Sequence, residues 1–184
     1  IHLLLEQLKD IRKKVSIPLV LMGYLNPPLQ YGFDKFIDEA AACGIDGFIL
    51  PDLPMQEFKD EYQAKFKAKV LSNIFLVTPQ TSDKRIHEID SLSDGFIYIV
   101  STNTITGGHV DFEAGQKDYF SHVQDLKLEH PTLVGFGIRD KGTFEIASKY
   151  LSGAIIGTAF VKHLEANPDN LTEAVKEFIL KIKN

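Results

Sequence analysis

Short, continuously apolar runs alternate along the chain with stretches in which apolar residues recur at helical spacing. The first helical stretch covers residues 1–12, and the first apolar run, residues 15–22, ends in a loop at Gly23. Further strands are predicted at residues 47–50, 74–77, 95–100, 132–136 and 154–156. Helices are predicted at residues 34–43, 56–68, 83–92, 115–129 and 141–151, then from about Ala159, and last behind Asn170, which forms a capping-box pattern with Glu173.

Apolar strands separated by helices are typical of a parallel sheet covered on both faces, so the predicted fold class is α/β. A TIM (β/α)8 barrel takes typically about 250 residues, or about 31 for each βα unit. The 184 residues would therefore hold about six of the eight units, in agreement with the predicted strands. An open doubly wound sheet is the alternative, but no G-x-G-x-x-G motif follows the first strand.

The organisation predicted for the chain is a single barrel domain over residues 1–184, because no linker or low-complexity segment divides it. The sequence opens with Ile1 inside a helical pattern rather than with Met. We therefore expect this domain to be incomplete at its N-terminus.

Composition and charge then exclude several classes of partner. The chain carries 20 Lys+Arg against 25 Asp+Glu, a net charge of −5, and has no basic stretch, so nucleic acid is not expected. The longest apolar runs are far shorter than the roughly 18 residues of a membrane helix, so no span is expected. No His pair has metal-binding spacing, so no metal is expected. Cys43 is the single cysteine, and the expected location is the cytoplasm.

Glycines follow the last three predicted strands. Gly107 lies in a Thr-Gly-Gly stretch after the strand at 95–100, Gly137 follows the strand at 132–136, and Gly157 with Thr158 opens a helix. Ligands of α/β folds bind at the carboxyl ends of the strands, where helix N-termini offer N–H groups to an anion. Together the three positions predict a phosphate cup, although each glycine alone is equally consistent with packing.

Two further side chains near the strand ends carry alternative interpretations. Tyr98 lies inside the strand at 95–100, where it either packs in the core or points its phenol into the barrel mouth. Asp52 follows the strand at 47–50 and is either a catalytic acid or, in the commoner role, a turn carboxylate that caps the helix at Gln56. The Thr- and Gly-rich residues 101–115 are long for a connection and predict a mobile lid.

Six blocks of sequence, in order, are similar to those of one known family. They are LMGYLNP (21–27), LPDLP (50–54), LVTPQTS (76–82), YIVS (98–101) with ITGG (105–108), VGFGI (134–138) and GAIIGTAFVK (153–162). On these blocks the chain resembles the tryptophan synthase alpha chain family over essentially all of its residues.

The resemblance implies an eight-stranded barrel that cleaves indole-3-glycerol phosphate to indole and glyceraldehyde 3-phosphate in tryptophan biosynthesis, a retro-aldol lyase step without a cofactor. It also implies a heterotetramer with a beta chain, a pyridoxal-phosphate enzyme that receives the indole. By position, the implied residues are Gly107, Gly137, Gly157 and Thr158 at the phosphate, Met22, Ile49 and Phe136 in the indole pocket, Tyr98 as a catalytic residue beside the glycerol segment, Thr106 in the lid, and Asn26 and Pro54 toward the beta chain.

The principal acid and base are not predicted within the chain. Retro-aldol cleavage needs two positioned proton-transfer groups, and the resemblance implies a Glu and an Asp that should lie upstream of Ile1. Thr102 and Thr104 stand where the family often has Arg and Gly, a departure within the lid. Two other hypotheses stay open from the sequence, namely another phosphate-binding barrel enzyme, such as a sugar-phosphate isomerase, and a non-catalytic fragment that binds a partner.

Overall fold

A computed structural model describes residues 1–101, 115–135 and 137–183. Within these ranges the chain forms helices and parallel strands in alternation. The helices are α1 (His2–Leu8), α2 (Asn26–Tyr31), α3 (Phe33–Ala42), α4 (Met55–Glu57), α5 (Gln63–Ala68), α6 (Asp83–Leu92), α7 (Gly115–Asp125), α8 (Lys141–Ser148), α9 (Thr158–Ala166) and α10 (Leu171–Lys183). The strands are β1 (Val20–Met22), β2 (Gly47–Ile49), β3 (Ser72–Asn73), β4 (Leu76–Val77), β5 (Ile97–Val100), β6 (Thr132–Gly135) and β7 (Gly153–Ala154).

The first of two compact units contains Ile1–Phe75 and Glu88–Phe96. Its sheet has the order β1-β2-β3, all parallel, with Leu21 paired to Phe48. The fully buried Phe48 ring lies with its centroid 5.0 Å from that of Phe36 and 5.7 Å from that of Phe66. Interlocked rings in tilted and edge-on arrangements thus pack α3 and α5 onto this sheet.

The second unit contains Leu76–His87 and Ile97–Asn184. Its sheet has the order β4-β5-β6-β7, again all parallel. Its core strands are aliphatic, since Val77, Ile97, Ile99 and Val134 are completely buried. β-Branched side chains of this kind suit a strand with packing on both faces.

The predicted strands are confirmed in position, but most of them differ in extent, and the two largest differences are in the first half of the chain. Residues 15–22 form a strand only at β1. The Arg12 guanidinium donates hydrogen bonds to the carbonyl oxygens of Val15 (3.4 Å) and Ile17 (2.7 Å), so these oxygens bond to a side chain and not to a neighbouring strand. Of the predicted strand at 74–77 only Leu76–Val77 is a strand, β4, and it is preceded by β3 at Ser72–Asn73, which belongs to the other sheet. Ser72 and Asn73 are polar, so their place in a ladder left no signal in the apolar pattern.

The predicted helices differ from the structure mainly at their ends. The prolines after Asn26 do not form a loop but occupy the first turn of α2, where their missing N–H groups cost nothing. The helix predicted to reach residue 129 ends at Asp125, and Lys127 adopts a positive φ of 51°. Residues 56–68 are helical but include a π-helical stretch at Phe58–Tyr62.

The last helix begins as predicted at Asn170, whose Oδ1 accepts a hydrogen bond from the Glu173 N–H at 3.3 Å. A capping box with both of its bonds was not predicted and lies at α8, between Asp140 and Thr143. Among the helices of the described ranges, none combines the length and the apolar character of a membrane span. The single-domain organisation stays a prediction.

Candidate functional site

The N-terminus of α9 holds two of the predicted phosphate positions, Gly157 and Thr158. Gly157 is the residue before the helix, and among the described residues no side chain caps its first N–H groups. A Cβ at Gly157 would meet no described heavy atom within 4 Å, and both Gly157 and Thr158 are exposed. Among the described residues, the first N–H groups of α9 therefore have no side-chain partner, and these groups together with the positive end of the helix dipole favour an anion.

Gly137 supplies backbone of a different kind at the end of β6. Its φ of +78° lies in the left-handed region that other residues adopt at a cost. A side chain at this position would strain the turn, whereas glycine lets the backbone approach a ligand closely. Gly137 and Gly157 follow neighbouring strands, β6 and β7, of the same parallel sheet. The structure therefore places these two predicted residues after neighbouring strand ends of one sheet.

The Tyr98 side chain on β5 lies over Gly135 on β6, two positions beyond its own ladder partner, Leu133. Tyr98 is 4% exposed, and its ring occupies the space into which a Cβ of Gly135 would project. Gly135 therefore provides room for the ring, which is a packing role. Burial raises the pKa of the Tyr98 phenol, so the hydroxyl keeps its proton at neutral pH and can act as a hydrogen-bond donor.

The two described residues of the predicted indole pocket are paired across β1 and β2. Met22 on β1 and Ile49 on β2 are direct Cα partners on these adjacent strands. Ile49 is buried, whereas Met22 is 54% exposed. The pair thus presents an open thioether beside a packed aliphatic side chain at the carboxyl ends of both strands. Their predicted role in binding indole stays a prediction.

The predicted partner-facing residues, Asn26 and Pro54, are both exposed and both stand at a helix start. Asn26 is the first residue of α2, and Pro54 is the residue before α4.

Asp52 does not cap the following helix as predicted, since α4 has no side-chain cap within the part of the chain that the structure describes. Its Oδ1 instead accepts a hydrogen bond from the Leu25 N–H at 2.8 Å.

Three predicted residues lie outside the described residues. They are Gly107 of the phosphate cup, Thr106 of the lid and Phe136 of the indole pocket. Nearly all of the predicted lid, from residue 102 to residue 114, also lies outside them. Their roles stay predictions.

Helix α7 carries two polar side chains that sequence reasoning missed, the half-buried Tyr119 and the buried Gln116. The Tyr119 hydroxyl donates to the Val77 carbonyl at 3.2 Å, and burial raises its pKa well above the usual range. The Gln116 carboxamide is buried, and within the described ranges neither its Oε1 nor its Nε2 has a hydrogen-bond partner. Gln116 stands four residues before Phe120 and seven before Val123, so a polar residue in an apolar helical stripe was the available signal.

A parallel α/β fold with glycines at its strand ends and an uncapped helix N-terminus is typical of phosphate-binding (β/α)-barrel enzymes. Among residues 1–101, 115–135 and 137–183, no three His, Cys, Asp or Glu side chains are grouped to hold a metal ion.

Comparison with known proteins narrows this class. The family model described as tryptophan synthase alpha chain matches residues 1–184. The tryptophan synthase alpha chain of Christiangramia forsetii is 52% identical over 180 residues, which are 98% of this chain and 69% of that protein. That of Flavobacterium johnsoniae is 49% identical over 182 residues, 99% of this chain and 71% of that protein. The solved tryptophan synthase A-subunit of Pyrococcus furiosus has a TM-score of 0.80 at 28% identity and covers 97% of this chain and 71% of its own.

The chain belongs to the tryptophan synthase alpha chain family. The structural likeness confirms the predicted fold class, a TIM (β/α)8 barrel. Family membership confirms the predicted function, that of a lyase of tryptophan biosynthesis that cleaves indole-3-glycerol phosphate. The alternative of a sugar-phosphate isomerase is not favoured.

Proposed function

We propose that the second unit binds the phosphate of indole-3-glycerol phosphate through the backbone N–H groups of Gly137, Gly157 and Thr158. The observation that carries the proposal is the exposed N-terminus of α9, which no described side chain caps and which Gly157 leaves open. A phosphate dianion placed there would satisfy N–H groups that otherwise face water. Gly107 completes the site in the proposal, on the strength of the sequence resemblance.

Tyr98 is proposed to contact the glycerol segment of the substrate. The buried ring is held against Gly135, and its phenol is protonated at neutral pH, a state that the upward shift of its pKa on burial only reinforces. A protonated phenol can donate a hydrogen bond to a substrate hydroxyl, and the rigid seat fixes the direction of that bond. Tyr98 thereby orients the substrate rather than removing its proton.

The chemistry of cleavage requires two proton transfers. One proton is added to the indole ring carbon that carries the glycerol chain, and one leaves the hydroxyl on the adjacent carbon. The bond between those two carbons breaks, its electron pair remains with the ring, and the hydroxyl carbon becomes the aldehyde of glyceraldehyde 3-phosphate. The proposed acid and base are the family's Glu and Asp, which the resemblance implies upstream of Ile1.

We place the indole end of the substrate near Met22, Ile49 and Phe136, and the beta-chain partner at Asn26 and Pro54. Both described pocket residues end parallel strands of the first unit. The proposed partner is the beta chain of tryptophan synthase, a pyridoxal-phosphate enzyme that would receive the indole. The proposed location of the complex is the cytoplasm.

Substitution of Gly157 tests the phosphate site. In the complete protein, Gly157→Asp places a carboxylate in the open space before α9, where two like charges about 4 Å apart repel by roughly 4 kcal/mol at an effective dielectric constant of about 20. We expect affinity for glycerol 3-phosphate, measured by titration calorimetry, to fall about 100-fold or more. Gly157→Asn is the matched control of similar size without charge, and it should lose clearly less. Unchanged affinity in Gly157→Asp would remove this helix end from the site.

A further inference from the structure

Two loops carry the residues that are proposed to face the beta chain. Residues 23–25 follow β1 and lead into Asn26, while residues 50–54 follow β2 and end at Pro54. The Gly23 N–H donates to the Ile49 carbonyl at 3.1 Å, which extends the ladder by one residue. In the described residues, the next hydrogen bond between the two loops is the one that Asp52 makes.

Asp52 joins the loops through a bond from side chain to backbone. Its Oδ1 accepts from the Leu25 N–H at 2.8 Å, across 27 positions of sequence. Leu25 and Leu53 are both buried, so each loop also has an apolar anchor. A hydrogen bond to an ionised carboxylate is shorter and stronger than one between neutral groups. The hydrogen bond is directional, whereas the apolar packing of Leu25 and Leu53 is not, so the bond restrains the relative orientation of the two loops.

The restraint acts on the first turn of α2. Leu25 is the residue before this helix and already has helical dihedral angles. Its own side chain is apolar and cannot cap the helix. The Asp52 carboxylate takes the N–H group of Leu25 and sits at the positive end of the helix, where a negative charge is favoured. Because Asn26 is the next residue, its position depends on that bond.

Asp52 is exposed, so its side chain acts through the bond to Leu25 and not through packing in the core. Removing the exposed Asp52 side chain therefore leaves no cavity in the core. We infer that Asp52 is a positioning residue, whose carboxylate holds the loop that presents Asn26 in register with the loop that presents Pro54. This inference rests on the proposed function, since it assumes that Asn26 and Pro54 face the beta chain.

Two substitutions in the complete protein separate positioning from other roles. Asp52→Ala removes the acceptor, and we expect the dissociation constant for the beta chain, measured by titration calorimetry, to rise about tenfold. Asp52→Asn keeps an oxygen that can accept from Leu25, and the rise should stay below about threefold. Cleavage of indole-3-glycerol phosphate by the alpha chain alone should keep its kcat/KM in both variants.

A control variant and a local readout accompany them. Asp60 is an exposed carboxylate of the same unit that accepts from the Gln56 side chain at 2.8 and 2.9 Å, so Asp60→Ala should leave the affinity for the beta chain unchanged. Hydrogen exchange of the Leu25 amide should accelerate in Asp52→Ala and return toward the original rate in Asp52→Asn. Unaltered Leu25 exchange in Asp52→Ala would contradict the inferred bond.

Asn26→Ala distinguishes failure of this inference from failure of the proposed function. If Asn26→Ala leaves the affinity for the beta chain unchanged, the proposed partner surface is wrong and the role of Asp52 falls with it. If Asn26→Ala weakens binding while Asp52→Ala does not, the positioning role alone is overturned. Equal losses in Asp52→Ala and Asp52→Asn would indicate a direct charge contact with the partner, and a lower kcat/KM of the isolated chain would indicate catalysis; either result overturns the inference.

Discussion

The two units of the molecule pack the same parallel α/β pattern by different means. In the first unit, aromatic rings such as Phe48, Phe36 and Phe66 fill the space between sheet and helices. In the second unit, β-branched strands form the core, and the Tyr98 ring lies against a bare backbone at Gly135. Packing around the sheet of the first unit therefore relies on a cluster of aromatic rings, whereas in the second unit it relies on β-branched strand residues and on the room that Gly135 leaves for the Tyr98 ring.

The largest expected effect tests the aromatic half of this comparison. Phe48→Ala in the first unit removes a fully buried ring that packs against Phe36 and Phe66, and the free energy of unfolding should fall by about 3–5 kcal/mol. Chemical denaturation measures it. Phe48→Leu retains much of the volume and should lose clearly less. A loss below about 1 kcal/mol in Phe48→Ala would show that the ring network is not what holds this unit.

The next effect tests the glycine seat in the second unit. Gly135→Ala places a methyl group where the Tyr98 ring lies, so the ring must move, and overpacking of this kind costs about 1–3 kcal/mol. Cleavage activity in the complete protein should fall with it, because Tyr98 is proposed to orient the substrate.

A second substitution separates crowding from other causes. Tyr98→Ala removes the ring that the methyl group of Gly135→Ala would meet. In a protein that already carries Tyr98→Ala, the further change Gly135→Ala should therefore cost much less free energy of unfolding than it does in the original protein. Denaturation of the four proteins gives the coupling. Strictly additive losses would show that the ring and the glycine do not interact.

A smaller effect concerns the capping box of the second unit. Asp140→Ala removes the acceptor for the Thr143 N–H, a bond of 2.9 Å, and should lower the free energy of unfolding by about 1 kcal/mol. Asp140→Asn keeps an acceptor at the same place and should be close to the original protein. A loss in Asp140→Asn as large as that in Asp140→Ala would argue that charge rather than capping matters.

The smallest effect is a pH dependence in each unit. Hydrogen bonds from Thr143 lower the pKa of Asp140, and a hydrogen bond from Lys69 lowers that of Asp38. A lowered pKa in the folded state means that the stabilisation is present above the unfolded pKa, about 3.9, and is lost as the pH falls through the folded pKa. Denaturation between pH 7 and pH 2 should show a shallower acid loss in Asp140→Asn and in Asp38→Asn. Slopes equal to that of the original protein would contradict it.

The comparison also explains how much the sequence could predict. Strands such as β2 and β5 were predicted because their apolar runs are continuous, and the fold class followed from their alternation with helices. β3 was missed because Ser72 and Asn73 are polar, and their strand geometry comes from pairing with β2. The local pattern of apolar residues thus predicts elements that bury their own apolar side chains. It misses elements whose geometry comes from pairing with a neighbouring strand.

The candidate site divides in the same way. Gly137 and Gly157 could be predicted because each follows an apolar strand directly, so sequence position alone suggests a strand end. The contact of Tyr98 with Gly135 needs the register of β5 against β6, and the bond from Leu25 to Asp52 joins residues 27 positions apart. Neither has a local signal, so both required the structure.

The central claim is that the phosphate is bound by backbone N–H groups of the second unit, and amide chemical shifts of the complete protein test it most directly. Addition of glycerol 3-phosphate should shift the amide resonances of Gly137, Gly157 and Thr158 in a saturable way, while that of Phe48 in the first unit stays in place. Saturable binding that leaves those three resonances unmoved would contradict the claim.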